Sequence, residues 1–413
     1  MSTFATPMPT RPARPYSIGF WLMCLSSFLF FLSFNLLLPE MPDHLTRLGG
    51  GEYKGFIIAL FTLTAGLSRP FSGKLADTVG RIPVMVFGSL VCFLCGFVYP
   101  WALTVSGFLG LRLLHGFSTG FKPTGTAAYI ADIVPDERRG EAMGLLGLTG
   151  TLGMAVGPLL GSWIGAHFSI NALFYASSGV ALLSVLVQGT LTETLPPARR
   201  QRFRLGLLRL RRDELIEPRV LVPALVMMLT LFSFGAVLTV VPDQSQLLGL
   251  PSKGLFYSGY TVAALAVRLL AGRASDRHGR VWVLRWAVAV LALALALLAT
   301  WTTATGFLVS AVVFGLGTGL VSPTLLAWGV DLSDPAHRGR AMGTLYIALE
   351  VGIGLGALAA GWIYANHAER LPYVHGLSLL MALAALVFLF TLPIRPAPAS
   401  PAGPMPSAAE ELV

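Results

Sequence analysis

GKLADTVGR at Gly73–Arg81 returns, changed but recognisable, as GRASDRHGR at Gly272–Arg280. RGEAMG at Arg139–Gly144 returns in the same way as RGRAMG at Arg338–Gly343, and both pairs lie 199 residues apart. Other residues repeat at that spacing: Arg69 with Arg268, Lys54-Gly55 with Lys253-Gly254, Gly116 with Gly315, Gly120 with Gly319, Asp132 with Asp331 and Trp163 with Trp362. An ungapped register of this length indicates a duplicated chain, so whatever fold one half adopts, the other repeats.

The sequence around these repeats is apolar. Of 413 residues, 54% are hydrophobic and 12% charged, where a soluble domain carries roughly 25% charge. Apolar runs suited to crossing hydrocarbon, about 20 residues each, fall near 17–38, 54–72, 83–101, 106–130, 141–164, 168–190, 219–240, 254–271, 282–300, 305–330, 340–363 and 374–392. The fold expected is an all-α membrane protein of twelve transmembrane helices in two pseudo-symmetric six-helix bundles. Its parts are an N-terminal tail (1–15), a first bundle (16–190), a linker (191–218), a second bundle (219–393) and a C-terminal tail (394–413). Both tails are rich in Pro, Ala and Ser and are expected to be disordered.

A net charge of +9 raises nucleic acid as a partner, but the placement of the 29 Lys and Arg excludes it. With both termini assigned to the cytoplasm, 21 of those 29 fall in inside segments, and only Arg47, Lys54, Lys253 and Arg370 fall outside. That asymmetry is the positive-inside pattern. Eight of the inside cations lie in the linker between Arg199 and Arg219, a stretch too charged to enter lipid. The first span is too long for a cleaved secretory signal and lacks a small-residue cleavage site. Without eukaryotic sorting signals, a bacterial cytoplasmic (inner) membrane is expected.

Charge inside a span costs about 2.5–3.5 kcal/mol at the helix centre and usually serves a water-lined path. In the fourth span Arg112, His115, Thr119, Lys122 and Thr126 follow spacings of three and four and make a polar, mostly cationic stripe. Opposite them is one deep carboxylate, Glu350 of the eleventh span. At 1.5 Å per residue Lys122 and Glu350 reach the same depth and could share a cavity. Glu350 is the candidate proton carrier and His115 the alternative; a buried structural pair is the competing reading for Lys122 and Glu350. Asn35, Tyr257, Tyr260, Ser322, Trp328 and Tyr346 are further candidates to line the path, each alone a weak signal. Cys92 and Cys95 form a C-x-x-C without a second pair or a His partner, so these two and Cys24 read as buried small hydrophobes. Neither a metal-ligand cluster, a Ser/His/Asp arrangement nor a phosphate loop is present, and an enzyme is not expected.

The repeated loop, the duplication and the twelve spans together resemble the major facilitator superfamily, from Tyr16 to Leu392. Gly73, Leu75, Ala76, Asp77, Gly80 and Arg81 match that family's signature G-x-L-A-D-x-x-G-R, with Gly272, Asp276, Gly279 and Arg280 in the second copy. The resemblance implies a conformational latch in these loops. Thr78 and Ile82 stand where basic residues are common, which implies a thinner charge network. Arg112 with His115 and Gly116 resembles the arginine motif of the fourth span, with His115 in place of the more usual Gln. Gly153, Gly157, Pro158 and Gly161 are similar to the antiporter motif G-x-x-x-G-P-x-x-G, whose small residues allow close helix approach.

The resemblance implies secondary active transport by alternating access, with proton-coupled efflux of a small organic solute or drug as the leading function. The proton is the coupling ion, no other cofactor is expected, and the partners are the bilayer and a small-molecule substrate of anionic or amphipathic character. A monomer is expected to suffice. A symporter or facilitator importing a small organic anion is one alternative, and a receptor or scaffold that no longer transports is another.

Overall fold

The structure, a computed structural model, describes residues 16–135, 138–209, 216–271, 274–333 and 338–393. The tails and Gly272 of the second loop motif lie outside the described residues. Among those residues there is helix and no strand. The helices are α1 (Ile18–Leu37), α2 (Met41–Arg47), α3 (Lys54–Thr78), α4 (Arg81–Val98), α5 (Val105–Ile133), α6 (Arg139–His167) and α7 (Ile170–Gly189) in the first half. In the second are α8 (Leu221–Leu247), α9 (Leu255–Ala271), α10 (Ala274–His278), α11 (Arg280–Thr300), α12 (Ala304–Leu332), α13 (Arg338–Tyr364) and α14 (Leu371–Thr391). With the short α2 and α10 set aside, twelve long helices coincide with the twelve apolar runs.

Ten of the described helical segments are long and apolar enough to cross a membrane. The two exceptions have identifiable causes. α9 is described over only 17 residues, ending at Ala271. α5 is 29 residues long but carries Arg112, His115 and Lys122, so its hydropathy is lowered by the polar residues that make it interesting.

Local structure repeats as the sequence does. Thr104 accepts from the Gly107 amide at the start of α5, and Thr303, its equivalent, accepts from Gly306 at the start of α12; a hydroxyl there satisfies an amide with no partner in the first turn. Gly80 (φ 147°) and Gly279 (φ 88°) make the sharp turns into α4 and α11, in a region of backbone space that disfavours side chains. Packing repeats too: α1 lies against α6 and α7, α3 against α5, and α4 against α5 and α7. In the second half α8 lies against α13 and α14, α9 against α12, and α11 against α12 and α14. Each neighbour pair in one bundle has its counterpart in the other.

The halves meet along two seams, α3 with α13 and α6 with α9. The first opens progressively. A side chain on Gly55 would collide with the Ala357 carbonyl; one on Gly66 would stand 3.2 Å from the Glu350 Cβ; one on Gly73, or on Gly343 of α13, would meet nothing within 4 Å. In the other seam a side chain on Gly254 would come within 2.5 Å of the Pro158 carbonyl. The halves are therefore closed at the end carrying Gly55 and Gly254 and splayed at the end carrying the loop motifs.

The described parts of the linker are tied to the helix ends beside them. Glu193 accepts from the backbone amides of Arg81 and Ile82 at 3.0 and 2.9 Å and so caps α4, and the Gln201 amide donates to the Thr78 carbonyl. At its far end Glu217 pairs with Arg340 at the start of α13.

Candidate functional site

Between the seams lies a cavity of about 380 Å³. Its wall is largely aromatic and aliphatic, with Phe31, Phe34, Phe61 and Phe234 among its residues, and its charged residues are Arg69, Arg112, Arg268 and Glu350. Such a cavity, apolar with a few convergent polar groups, is what a small-molecule site requires.

Glu350 is 7% exposed, and its partner is not the one its depth suggested. Arg69 of α3 donates to its Oε1 at 3.0 Å across the seam between the halves, and the same guanidinium lies 4.3 Å from the centroid of the Tyr346 ring. Lys122 does not share the cavity: it is 1% exposed, donates to Thr126 at 3.0 Å and sits over the Phe30 ring inside the first bundle. The reason is rotation. At about 100° per residue Lys122 lies about 80° around α5 from Arg112, enough to turn it from the cavity into the packing between α1, α4 and α5.

The stripe on α5 is thus divided. Arg112 and Thr119 line the cavity, and the Arg112 Nε donates to the Ile57 carbonyl at 2.8 Å with its guanidinium on the Phe61 ring. His115, Lys122 and Thr126 face the bundle interior. His115 is held there between the Tyr99 hydroxyl, 3.1 Å from Nδ1, and the Cys92 sulfur, 3.2 Å from Nε2. Asn35, Tyr260, Ser322 and Tyr346 line the cavity. Tyr257 instead donates to the Leu238 carbonyl within the second bundle, and Trp328 packs on that bundle's core.

Two charged residues of the cavity, Arg69 and Arg268, are not among the candidates drawn from the sequence, although both are intramembrane cations repeated at the 199-residue spacing. Arg268 of α9 donates through Nε to the Gly319 carbonyl at 2.9 Å and through Nη1 to the Thr151 hydroxyl of α6 at 3.2 Å.

At the motif end, Arg81 bridges Asp77 on α3 and Asp132 on α5, and Arg280 bridges Asp276 and Asp331 in the same manner. Each motif ties together helix ends within its own half; among the described residues neither aspartate of the loop reaches the other half. At the closed end the ion pairs do cross. Lys54 pairs with Asp243 of α8, and Lys253 pairs with Glu40 and Asp43 of the first half. Burial works against the Lys253 charge, but its hydrogen bonds to Asp43 and Glu40 and their negative field outweigh that and hold its pKa above the usual lysine value. The two lysines are themselves equivalent, so the clasp has the symmetry of the duplication.

Gly153, Gly157 and Gly161 serve the first bundle, letting α6 approach the α1 backbone at Phe28, Asn35 and Leu36. The other half is met by the backbone between those glycines, where the Pro158 carbonyl lies against Gly254 and the Ala155 carbonyl accepts from the Ser258 hydroxyl of α9 at 2.7 Å. Cys24, Cys92 and Cys95 are buried and form no disulfide, and the described residues hold no cluster of metal-ligating side chains.

A family model described as Major Facilitator Superfamily matches residues 23–253 and again 223–412. Among curated proteins, Multidrug resistance protein 2 of Bacillus subtilis (strain 168) is 30% identical over 168 residues, which is 40% of this chain and 42% of that one. The Multi-drug resistance efflux pump PmrA homolog of Lactococcus lactis subsp. lactis (strain IL1403) is 35% identical over 172 residues, 40% and 42% of the two chains. The chain thus spans about two-fifths of the length of these relatives. Among solved structures, the human organic anion transporter MFSD10 (TETRAN) superposes with a TM-score of 0.71 at 20% identity, covering 92% of this chain and 100% of that one; at that identity the likeness is one of fold.

Proposed function

We propose that this chain, which belongs to the major facilitator superfamily and is an integral multi-pass membrane protein, is a proton-driven exporter of small organic solutes working by alternating access. The observation that carries this reading is the Arg69–Glu350 pair, which places the cavity's one carboxylate across the seam between the halves. A proton on Glu350 cancels the charge that holds Arg69, so protonation and the fit of the two halves are linked through a single bond. The names of the relatives, multidrug resistance proteins and efflux pumps, support the outward direction.

In this reading the motif end faces the cytoplasm of a bacterial inner membrane, as the positive-inside pattern requires, and the splayed seam is the inward-open state. Solute enters from the cytoplasm and the halves rock about the central site. The clasp at Lys54 and Lys253 breaks as the motif end closes. The Asp77–Arg81 and Asp276–Arg280 loops, with Gly73, Gly80 and Gly279 shaping them, then act as latches. His115 is locked between Tyr99 and Cys92 and is a poorer carrier than Glu350, which faces the cavity. The proton is the coupling ion, and since the cavity and both seams are complete within one chain, a monomer suffices.

The test is transport in proteoliposomes preloaded with ethidium. An acid exterior should accelerate loss of dye, and Glu350→Gln should reduce that acceleration at least tenfold while leaving slow exchange down the dye's own gradient. Full proton-driven loss from Glu350→Gln overturns the role of Glu350. Uptake driven by an acid exterior reverses the direction.

A further inference from the structure

The duplication makes the two crossings of the cavity equivalent, residue for residue. Arg69 of α3 meets Glu350 of α13; Arg268 of α9 stands at the position equivalent to Arg69, and Thr151 of α6 at the position equivalent to Glu350. One arginine therefore faces a carboxylate and the other a hydroxyl. No acidic side chain among the described residues pairs with Arg268 within 4 Å.

The two arginines are also held differently. Ser72 occupies the Gly120 carbonyl at 2.7 Å, and the Arg69 Nε is left without a partner. In the second half the residue equivalent to Ser72 is Ala271, the equivalent carbonyl at Gly319 is free, and the Arg268 Nε takes it at 2.9 Å. Arg268 is thereby fixed on α12 with its terminal nitrogens directed at α6. Thr151 donates its own proton to the Gly147 carbonyl at 2.8 Å, so toward Arg268 it acts as an acceptor and brings no charge. The wall of the cavity holds three arginines against one glutamate, in surroundings where an unmatched cation is costly. A planar guanidinium is matched best by a planar carboxylate that accepts two parallel hydrogen bonds.

We infer that Arg268 and Thr151 form a carboxylate-binding subsite, and that the transported solute is an amphipathic organic acid. Its carboxylate takes, at the α6–α9 crossing, the place that Glu350 holds at the α3–α13 crossing. Its apolar body lies against Phe31, Phe34, Phe61 and Phe234. With solute bound, both crossings carry an ion pair and the cavity approaches neutrality. The inference rests on the cavity being the transport site.

The experiment compares matched pairs of acid and primary amide on the purified full-length protein: 1-naphthaleneacetate with 1-naphthaleneacetamide, 2-naphthoate with 2-naphthamide, and decanoate with decanamide, each titrated by thermal shift. At least one acid should stabilise the protein with an apparent affinity tenfold or more above that of its amide. Arg268→Gln should remove that preference, and Arg268→Lys should keep part of it. Thr151→Glu, which supplies an internal carboxylate, should abolish acid binding and serves as the check should Arg268→Gln fail to fold. Equal binding of acid and amide in all three pairs, or a preference that survives Arg268→Gln or disappears only with Arg112→Gln, overturns the inference. The outcome separates from that of the proposed function: proton-driven ethidium efflux indifferent to Thr151→Glu, with no acid preference, overturns the subsite alone, whereas acid-selective binding with no proton-driven transport of either ethidium or the bound acid overturns the exporter reading alone.

Discussion

The α3–α13 and α6–α9 crossings descend from one ancestral contact, and where the equivalent arginines cross to the other half they now meet a different side chain, Glu350 against Thr151. At the first, a cation is neutralised within the protein and ties the halves together. At the second, an equivalent cation is held by a backbone carbonyl and a hydroxyl and keeps its charge for something else. Duplication supplies symmetric scaffolding, and the departure from symmetry is where chemistry can enter.

The comparison can be broken most directly by removing each arginine in turn. Arg69→Ala leaves Glu350 buried and unpaired, a loss of about 3 kcal/mol or more. Arg268→Ala loses hydrogen bonds but also removes an unmatched cation, and should cost under about 1 kcal/mol. Thermal unfolding in detergent should therefore show a clearly larger drop in Tm for Arg69→Ala; equal drops would mean that the two crossings are energetically alike.

A second contrast is between the closed and open ends. Lys253→Ala leaves Glu40 and Asp43 facing each other without their cation, and should favour opening at the clasp end. A cysteine at Ala357, buried in the closed part of the α3–α13 seam against Gly55, should then react several-fold faster with an impermeant maleimide added from that side. Unchanged labelling would show that the clasp does not hold this end. The pKa of Lys253 is raised by its partners, so its contribution is complete below the usual lysine pKa and is lost only as pH rises through the raised value. Labelling of the protein with Lys253 intact, after normalisation to the rate of the same cysteine in unfolded protein at each pH, should therefore be flat from about pH 7 to about pH 9.

The smallest effect separates the interiors of the bundles. In the first, Ser26, Ser184, Ser89 and Gln188 form a hydrogen-bonded seam joining α1, α4 and α7; at the matching buried places on α8 and α11 stand Val226 and Val288. Interhelical hydrogen bonds of this kind average about 0.6 kcal/mol, so Ser26→Ala should lower Tm only slightly. A loss of several kcal/mol would make the seam a principal support of the first bundle.

Much of the site was legible before any coordinates. Glu350, Arg112, Asn35, Thr119, Tyr260, Ser322 and Tyr346 all reach the cavity, because polar residues deep in a span have few other places to go. Lys122 and His115 show the limit of that rule, since a bundle interior can also accommodate a polar group when a hydroxyl, a sulfur or an aromatic face is at hand. Glu193 was not legible as a helix cap, because its partners at Arg81 and Ile82 lie more than a hundred residues away.

The sequence by itself determined the twelve helices, their division into two related halves and the depth of each charged residue, since hydropathy, the repeat spacing and a fixed rise per residue depend on the chain alone. The tertiary structure decided which charges meet. Whether Arg69 or Lys122 faces Glu350 depends on how each helix is rotated against its neighbours, a matter of packing between segments distant in sequence that no local pattern encodes.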